Sequence, residues 1–252
     1  MEFMRLGHRW LFLFLLAFAV LIVSSHADTD TLPLNTFFKN VKAGKPQVVV
    51  FYGTSLTAYG AWVQAAQDWF NEKYPKLVTI TNSGMPGCNS DAGLAHLQDK
   101  VLDKHPDLVF LEFGYNDAHV RYKLTPEHCA DNLDKIVQGI RAQNPQAAII
   151  LQTMNVGWDN PTAFKAETER PQLSLYYENY RSYAKAHGLP IVDNEPQWVK
   201  FKQTDLATFQ KEVPDGNHPN KIASLAITWP AVKAFLEQAD AAAGSAASAP
   251  TP

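Results

Sequence analysis

Short apolar runs alternate along the chain with longer segments in which apolar residues recur every three or four positions. The short runs are rich in β-branched and aromatic residues and are bounded by glycine, proline or polar residues, which is typical of strands buried on both faces. Five runs of this kind predict strands over 46–52, 77–80, 107–113, 147–153 and 190–192.

The segments between these runs have the spacing of amphipathic helices. They predict helices over 58–74, 91–103, 125–143, 171–187 and 222–239. Thr125 and Pro126 suit the N-cap and first turn of the third helix. Strands that alternate with helices form a mostly parallel sheet, because right-handed crossovers place helices on both faces. The sequence therefore predicts an α/β fold, a three-layer α/β/α sandwich with a mostly parallel five-stranded sheet of the flavodoxin-like kind.

The N-terminal segment has a different pattern. Arg5 and Arg9 precede an unbroken apolar run over 10–23, and Ser24-Ser25-His26-Ala27 follows it, with the small residues Ser25 and Ala27 two positions apart. A basic start, an apolar centre and a small-residue end are the layout of a secretory signal peptide. The run of about 14 residues is shorter than the roughly 20 that a membrane-spanning helix needs. We therefore predict a signal peptide over 1–27 and a secreted or periplasmic protein, with an uncleaved membrane anchor as the alternative.

The C-terminal residues after Asp240 are all alanine, glycine, serine, proline or threonine. Such small side chains offer little apolar area to a core, so we predict a disordered tail over 240–252. Residues 28–239 are enough for one sizeable core, and 46% of the whole chain is hydrophobic. This favours a single domain over 28–239.

The charge of the chain bears on its partners. The chain carries 22 basic and 25 acidic residues, and without 1–27 there remain 20 basic and 24 acidic residues, a formal charge of −4. This balance argues against nucleic acid as a partner, because proteins that bind phosphate backbones concentrate lysine and arginine. After the first run, no segment is long and apolar enough to span a bilayer, so we expect no membrane span in the mature protein.

Cysteine and histidine are spaced without any metal motif. Cys88 and Cys129 are too few for a disulfide scaffold, although an exported protein could join them in one bridge, which the sequence leaves open. The eight histidines show no His-Glu-x-x-His or comparable ligand spacing. The sequence therefore predicts neither a metal site nor a bound cofactor.

Residues that follow the predicted strands are the candidates for chemistry, because ligands of parallel sheets bind beyond the carboxyl ends of the strands. Ser55 follows the first strand in a Gly-Thr-Ser turn, which exposes a hydroxyl and directs backbone N–H groups at an approaching ligand. Gly84 and Gly87 follow the second strand, and Asn116 follows the third. Each of these alone is also compatible with an ordinary turn or a phosphate-binding loop.

An acid and a histidine stand three residues apart near the C-terminus, as Asp215 and His218. Within one turn, this spacing lets a carboxylate hold the ring nitrogen that faces away from a nucleophile. The same segment alone could be an exposed turn before the last helix. The conjunction of four motifs in this order is what favours a shared catalytic role.

The combination resembles the SGNH hydrolase, or GDSL esterase-lipase, superfamily over about 47–239. The resemblance implies that Ser55 is the nucleophile, that His218 is its general base and that Asp215 orients the histidine. Such a triad works without a metal or cofactor. The resemblance also implies the fold that the alternating strands and helices predict.

The oxyanion hole follows from the same resemblance, which assigns it to Ser55, Gly87 and Asn116, with Gly84 as the alternative glycine. The chain departs from the family's Gly-Asp-Ser-Leu motif at Thr54. The aspartate at that position is not the triad acid, so the departure concerns the support of the serine turn and leaves the triad intact.

The resemblance implies an enzyme that hydrolyses carboxylic esters of small molecules or carbohydrates. Predicted export and the absence of an obvious lipid-binding segment favour short acyl groups such as acetyl, carried on a polysaccharide. An O-acyltransferase with the same triad and a non-catalytic carbohydrate-binding protein on the same fold are the alternatives. Glu112 and Asp117 could form the carboxylate pair of a glycosidase, but the serine and histidine motifs would then have no role. The oligomeric state is left open.

Overall fold

The computed structural model describes residues 32–245 of the chain. Five strands form one sheet in the order β2-β1-β3-β4-β5, and each neighbouring pair is parallel. Their bounds are Gln47–Gly53 (β1), Val78–Gly84 (β2), Leu108–Glu112 (β3), Ala148–Thr153 (β4) and Ile191–Asp193 (β5). The predicted α/β sandwich is therefore confirmed, with β1 next to the centre of the sheet.

Helices cover both faces of this sheet. The first half of the chain contains α1 (Leu32–Lys42), α2 (Ser55–Ala58), α3 (Ala61–Lys73), α4 (Ser90–Ala95), α5 (Leu97–Lys100) and α6 (Gly114–Asp117). The second half contains α7 (Pro126–Gln143), α8 (Ala166–Glu169), α9 (Leu173–His187), α10 (Glu195–Thr204), α11 (Leu206–Glu212), α12 (Lys221–Ala223) and α13 (Trp229–Ser245). Helices α1, α3 and α13 pack on one face, and α5, α7 and α9 pack on the other.

Strand β3 shows why the strands appear in the sequence as continuous apolar runs. Leu108 and Phe110 point into the core beneath α1, α3 and α13, whereas Val109 and Leu111 point into the core beneath α7 and α9. All four side chains are at most 1% exposed. Because successive side chains of a strand face opposite sides, a sheet covered on both faces needs apolar residues at every position.

Helix α7 is the helix whose bounds the sequence predicts best. It runs from Pro126 to Gln143, and the Thr125 side chain caps it by accepting a hydrogen bond from the His128 N–H at 3.2 Å. The region predicted as one helix over 91–103 is instead α4, α5 and a 3₁₀ turn at Leu102–Lys104. The final predicted helix begins with α12 and a π-helical turn at Ser224–Thr228 before α13. None of the helices within the described residues has the length and apolar character that crossing a membrane requires.

The predicted C-terminal tail begins too early, since α13 continues through Ser245 rather than stopping at 239. Asp240 is only 6% exposed, and its carboxylate pairs with Lys42 at 2.8 Å and Lys73 at 2.6 Å. These contacts from α1 and α3 anchor the last turns of the helix, so the domain boundary predicted at 239 is wrong by at least six residues. The rest of the predicted tail and the predicted signal peptide lie outside the described residues.

The carboxyl ends of β1, β2 and β3 meet at one edge of the sheet. Gly53 stands in register with Gly84 on one side and with Glu112 on the other. A Cβ atom at Gly53 would lie 2.3 Å from a carboxylate oxygen of Glu112. Only glycine therefore lets the Glu112 side chain pass beneath the turn that leads into α2.

Candidate active site

Ser55 is the first residue of the short helix α2, directly after β1. Thr54 is the N-cap of this helix, and its hydroxyl accepts a hydrogen bond from the Leu56 N–H at 3.2 Å. The cap holds the strand-to-helix turn in one conformation, as polar caps do. Ser55 is 8% exposed, and it lines both cavities described below.

Three predicted site residues form a continuous hydrogen-bonded chain. Ser55 Oγ lies 2.8 Å from His218 Nε2, and His218 Nδ1 lies 2.7 Å from Asp215 Oδ2. The other carboxylate oxygen of Asp215 accepts the backbone N–H groups of Asn217 and His218 at 2.8 and 2.7 Å. The structure thus brings Ser55, His218 and Asp215 together, although the serine and the acid are 160 positions apart along the chain.

The charge on Asp215 is stabilised locally. Burial alone would raise the pKa of this carboxyl, but the hydrogen bonds from the His218 ring and from two backbone N–H groups outweigh burial and lower its pKa. Asp215 therefore stays ionised at neutral pH beside the histidine ring. An ionised carboxylate at Nδ1 leaves Nε2 as the nitrogen that can accept a proton from Ser55.

Asn116 faces Ser55 across a cavity of about 230 Å³ that Gly87 also lines. Asn116 is 4% exposed, and its side-chain amide donates to the Cys88 carbonyl at 2.8 Å. The amide has a second N–H for another acceptor. Gly87 has a φ of +73°, in the left-handed region that favours glycine.

Gly84, the alternative glycine, has a different setting. It is the last residue of β2, and a Cβ atom there would lie 2.3 Å from the Ala58 backbone nitrogen. The absence of a Cβ atom at Gly84 therefore allows β2 to pack closely against α2. Of the two glycines considered from the sequence, Gly87 is the one that borders the Ser55 cavity.

A second, smaller cavity of about 20 Å³ also borders Ser55. Its apolar walls come from Leu56, Trp62 and Met154. At the surface, the aromatic side chains of Tyr59 and Phe164 are 72% and 41% exposed, and both border the larger cavity. The Phe164 ring meets the His218 ring edge-on with centroids 5.7 Å apart.

Two buried carboxyls, Glu112 and Asp117, lie near the site. Burial raises the pKa of Glu112 to about 7 despite hydrogen bonds from Thr57 and Thr54, and burial likewise raises the pKa of Asp117 to about 7 despite bonds from Ser90. Neither residue lines either cavity beside Ser55. A glycosidase needs two carboxyls that reach the substrate, and this pair does not.

Arg170 and Asn217 are cavity residues that the sequence did not single out. Arg170 is an isolated basic residue in the long segment after β4, and Asn217 stands between two residues that already had a role. His119 also lines the cavity, and its place three residues after Asn116 is the sequence signal for contact with substrate. No pattern within the sequence could identify Arg170 or Asn217, because their contacts join segments that lie far apart in it.

Metal binding has no support among the described residues. Within 32–245, no group of three or more histidine, cysteine, aspartate or glutamate side chains is arranged to hold a metal ion. Cys88 and Cys129 are both free thiols, the second of them buried.

Known proteins resemble this chain over the segment that contains the site. The sequence pattern of the GDSL-like Lipase/Acylhydrolase family matches residues 51–223. Thioesterase 1/protease 1/lysophospholipase L1 of Escherichia coli (strain K12) is 26% identical over 194 residues, which cover 72% of this chain and 80% of that protein. Uncharacterized lipoprotein YqeF of Bacillus subtilis (strain 168) is 23% identical over 198 residues, 68% of this chain and 82% of that one.

Solved structures share the same architecture. Axe2, an acetylxylan esterase from Geobacillus stearothermophilus, superimposes with a TM-score of 0.63 and 18% identity over 76% of this chain and 94% of its own. A two-domain esterase (CEX) active on acetylated mannans gives a TM-score of 0.66 and 22% identity over 83% of this chain and 53% of its own. These likenesses establish the fold, and the sequence match covers more than half of the chain. The chain therefore belongs to the GDSL-like lipase/acylhydrolase family, the SGNH hydrolases, which hydrolyse carboxylic esters.

Proposed function

We propose that this protein is an exported serine esterase that removes short acyl groups, acetyl in particular, from carbohydrate hydroxyls. The hydrogen-bonded chain from Asp215 through His218 to Ser55 carries this proposal, with heavy-atom distances of 2.7 and 2.8 Å. These distances lie within the reach that proton transfer from a nucleophile to its base requires.

In the first half of the reaction, His218 Nε2 takes the proton from Ser55 Oγ as this oxygen attacks the ester carbonyl. The Asp215 carboxylate holds the ring through Nδ1 and balances the imidazolium charge. The tetrahedral intermediate collapses to an acyl-enzyme, and His218 returns the proton to the departing alcohol. Water then attacks the acyl-enzyme with the same histidine as base.

Negative charge that develops on the carbonyl oxygen of the ester needs hydrogen-bond donors close to Ser55. We assign this role to the backbone N–H groups of Ser55 and Gly87 and to the Asn116 amide. Asn116 and Gly87 border the same cavity as the Ser55 side chain. Preorganised donors at a site shielded from water stabilise such charge more than solvent does.

The two cavities beside Ser55 support a small acyl group and a larger alcohol. The cavity of about 20 Å³ has room for a group no larger than one water or methyl. The cavity of about 230 Å³ suits the alcohol, and the exposed rings of Tyr59 and Phe164 at its rim could stack on a sugar face. Acetylated xylan and acetylated mannans are the substrates of two esterases that share the fold.

Export rests on the pattern of the N-terminal segment, with basic residues before the apolar run and small residues after it. We propose cleavage before Asp28. The full-length gene should be expressed in a bacterium that exports proteins, and the N-terminus of the product should be determined by mass spectrometry. A product that retains residues 1–27 and partitions with membranes would favour the anchor instead.

The substrate is tested with a series of nitrophenyl esters of increasing acyl length, together with acetylated xylan and mannan. We expect kcat/KM to be highest for acetyl and to fall as the chain lengthens, and Ser55→Ala to abolish hydrolysis. Addition of a sugar acceptor separates hydrolase from acyltransferase, because a transferase would form the acylated sugar faster than free acetate. Sugar binding without any ester cleavage would favour a non-catalytic protein.

A further inference from the structure

Arg170 is a buried arginine whose guanidinium lies between the two loops that form the site. It directly follows α8, and its side chain is 3% exposed. On one side, Nε donates to the Tyr115 carbonyl at 2.8 Å and Nη2 lies 3.5 Å from Asn116 Oδ1. On the other side, Nη1 donates to Asn217 Oδ1 at 3.2 Å. One planar side chain thus connects the segment after β3 with the segment that precedes His218.

The charge of Arg170 is only weakly balanced. Its ion pair among the described residues is with Glu169, at 3.7 Å. Arg181, by comparison, is 26% exposed and pairs with Asp193 at 2.8 Å and Glu195 at 2.5 Å. Buried arginines are normally paired with carboxylates at hydrogen-bond distance. Arg170 therefore leaves positive potential at the wall of the cavity that it lines.

The positive charge of Arg170 also acts on His119, which lines the same cavity. Its pKa is lowered to about 4, first by burial and next by the charge of Arg170. The neutral ring accepts the Arg121 backbone N–H at Nδ1, at 3.2 Å. His119 and Arg170 both line the cavity that Ser55 borders. A carbonyl oxygen that gains negative charge in this cavity would experience the same field.

The Asn116 amide is held in one of its two orientations by its neighbours. Its Nδ2 faces an acceptor, the Cys88 carbonyl, and its Oδ1 faces a donor, the Arg170 guanidinium. Arginine has donors only, so a flipped amide would set N–H against N–H at Arg170 and oxygen against oxygen at Cys88. A cation at the amide oxygen also makes the amide N–H a stronger donor.

Asn217 connects Arg170 to the catalytic loop. Its Oδ1 accepts from both Arg170 and the Tyr115 hydroxyl, the latter at 2.9 Å, and its backbone carbonyl accepts from Asn155 at 2.8 Å. Asn217 immediately precedes His218. The contacts of one arginine therefore fix the position of the oxyanion donor relative to that of the general base.

We infer that Arg170 is a positioning residue for ester hydrolysis, which aims the Asn116 N–H at the developing oxyanion and ties it to the His218 loop. The inference rests on the proposed function. It goes beyond the triad and the oxyanion donors because Arg170 acts through Asn116 and Asn217 and does not itself carry out bond-making steps.

Arg170→Met removes the donors and the charge while it fills similar space. We expect kcat for nitrophenyl acetate to fall about 10²-fold, the scale of a small misplacement of a catalytic group, and KM to change much less. A residue that only supports the fold would lower the thermal midpoint and leave kcat per folded molecule unchanged.

Arg181→Met is the matched control, because it removes a partly buried arginine with two closer carboxylate partners outside the cavity. We expect this variant to lose thermal stability and to keep the wild-type kcat. Similar losses of kcat in the two variants would indicate a general effect of removing an arginine, and would overturn the inference.

A double-mutant cycle tests whether Arg170 acts through Asn116. In an Asn116→Ala background the donor is already absent, so Arg170→Met should lower kcat by no more than about twofold beyond the single Asn116 variant. The same large factor in both backgrounds would overturn the inference, because Arg170 would then act independently of Asn116.

Arg170→Lys covers the case in which Arg170→Met does not fold. It keeps the charge but loses the planar fork, so we expect a loss of about tenfold in kcat and the same non-additivity with Asn116→Ala. Normal kcat in folded Arg170 variants, with Ser55→Ala inactive, would overturn the inference and leave the proposed function standing. A wild-type protein without esterase activity would overturn both.

Discussion

The Glu112 carboxylate accepts two hydrogen bonds from Thr54, from the backbone N–H at 2.6 Å and from the hydroxyl at 2.9 Å. Thr57 donates a third, at 2.7 Å. A buried acid therefore supports the turn that carries Ser55, the proposed nucleophile. This explains how the turn tolerates threonine in place of the aspartate usual in the family, since a hydroxyl caps α2 and donates to Glu112 at once.

Glu112 makes stability depend on pH. Its pKa is raised from 4.5 to about 7, chiefly by burial, so the folded protein binds this proton more tightly than the unfolded chain does. Stability should therefore fall as pH rises from about 4.5 to about 7, by up to about 3 kcal/mol. Glu112→Gln removes the titration, and the difference from wild type is measured by urea unfolding at pH 5 and pH 8.

Asp117→Asn is the control for Glu112→Gln, because Asp117 is also buried with a pKa raised to about 7. Asp117→Asn should remove the contribution of Asp117 and leave most of that of Glu112 in place, because the Asp117 charge is the last of the causes that raise the Glu112 pKa. The stability of the double variant should therefore depend less on pH than that of either single variant. Unchanged pH dependence in Glu112→Gln would contradict this account.

Ser55 should be the residue that an organophosphate modifies. The reaction needs the general base, so His218→Ala should lower the labelling rate more than about 10³-fold, whereas the exposed His128→Ala should not change it. Peptide mapping by mass spectrometry locates the adduct. An adduct on any other serine would refute the assignment of the nucleophile.

Asn116→Ala should lower kcat by roughly 10²–10³-fold, the cost of one oxyanion donor, with a much smaller change in KM. Asn116→Asp keeps the size but places a carboxylate where the oxyanion forms, so it should be at least as inactive. Steady-state kinetics and thermal midpoints of both variants are the measurement. A well-folded Asn116→Asp enzyme with near-normal kcat would exclude the oxyanion role.

Asp240→Ala should destabilise the protein by about 1–2 kcal/mol and leave kcat unchanged. The buried carboxylate anchors α13 through Lys42 and Lys73, but these lysines are 34% and 41% exposed and regain water when it is removed. Glu237→Ala is the control, since its pair with Lys233 on the same helix is exposed at both ends. Equal stability of the two variants would show that the α13 anchor contributes nothing.

The strands and the main site residues could be predicted from sequence because their signals are local. Each strand is a run of apolar residues between polar or flexible ones. Ser55 and Asn116 lie in short motifs after predicted strands, and His218 lies in one shortly before a predicted helix. Helix α7 carries its own start signal in Thr125 and Pro126. Such features depend on neighbours within one turn or one strand.

Other features could not be predicted because distant contacts determine them. Arg170 gains its role from hydrogen bonds to residues 47 and 54 positions away. The last turns of α13 are rich in alanine and resemble a flexible tail, yet Asp240 pairs with a lysine 198 positions earlier in sequence. No local pattern distinguishes an alanine-rich tail from a helix that a distant ion pair anchors.

The proposed nucleophile, Ser55, and its proposed base, His218, belong to parts of the molecule with different means of support. Ser55 follows β1, which is hydrogen-bonded to strands on both sides. The loop that carries Asp215 and Gly216 is bonded to the segment 158–164, through Trp158 and Phe164, and not to a strand. Segments without a sheet ladder open locally at lower free energy than strands next to the centre of a sheet. On warming, the hydrogen bond between Ser55 and His218 should therefore be lost while the sheet is still intact. Thermal inactivation should then precede unfolding.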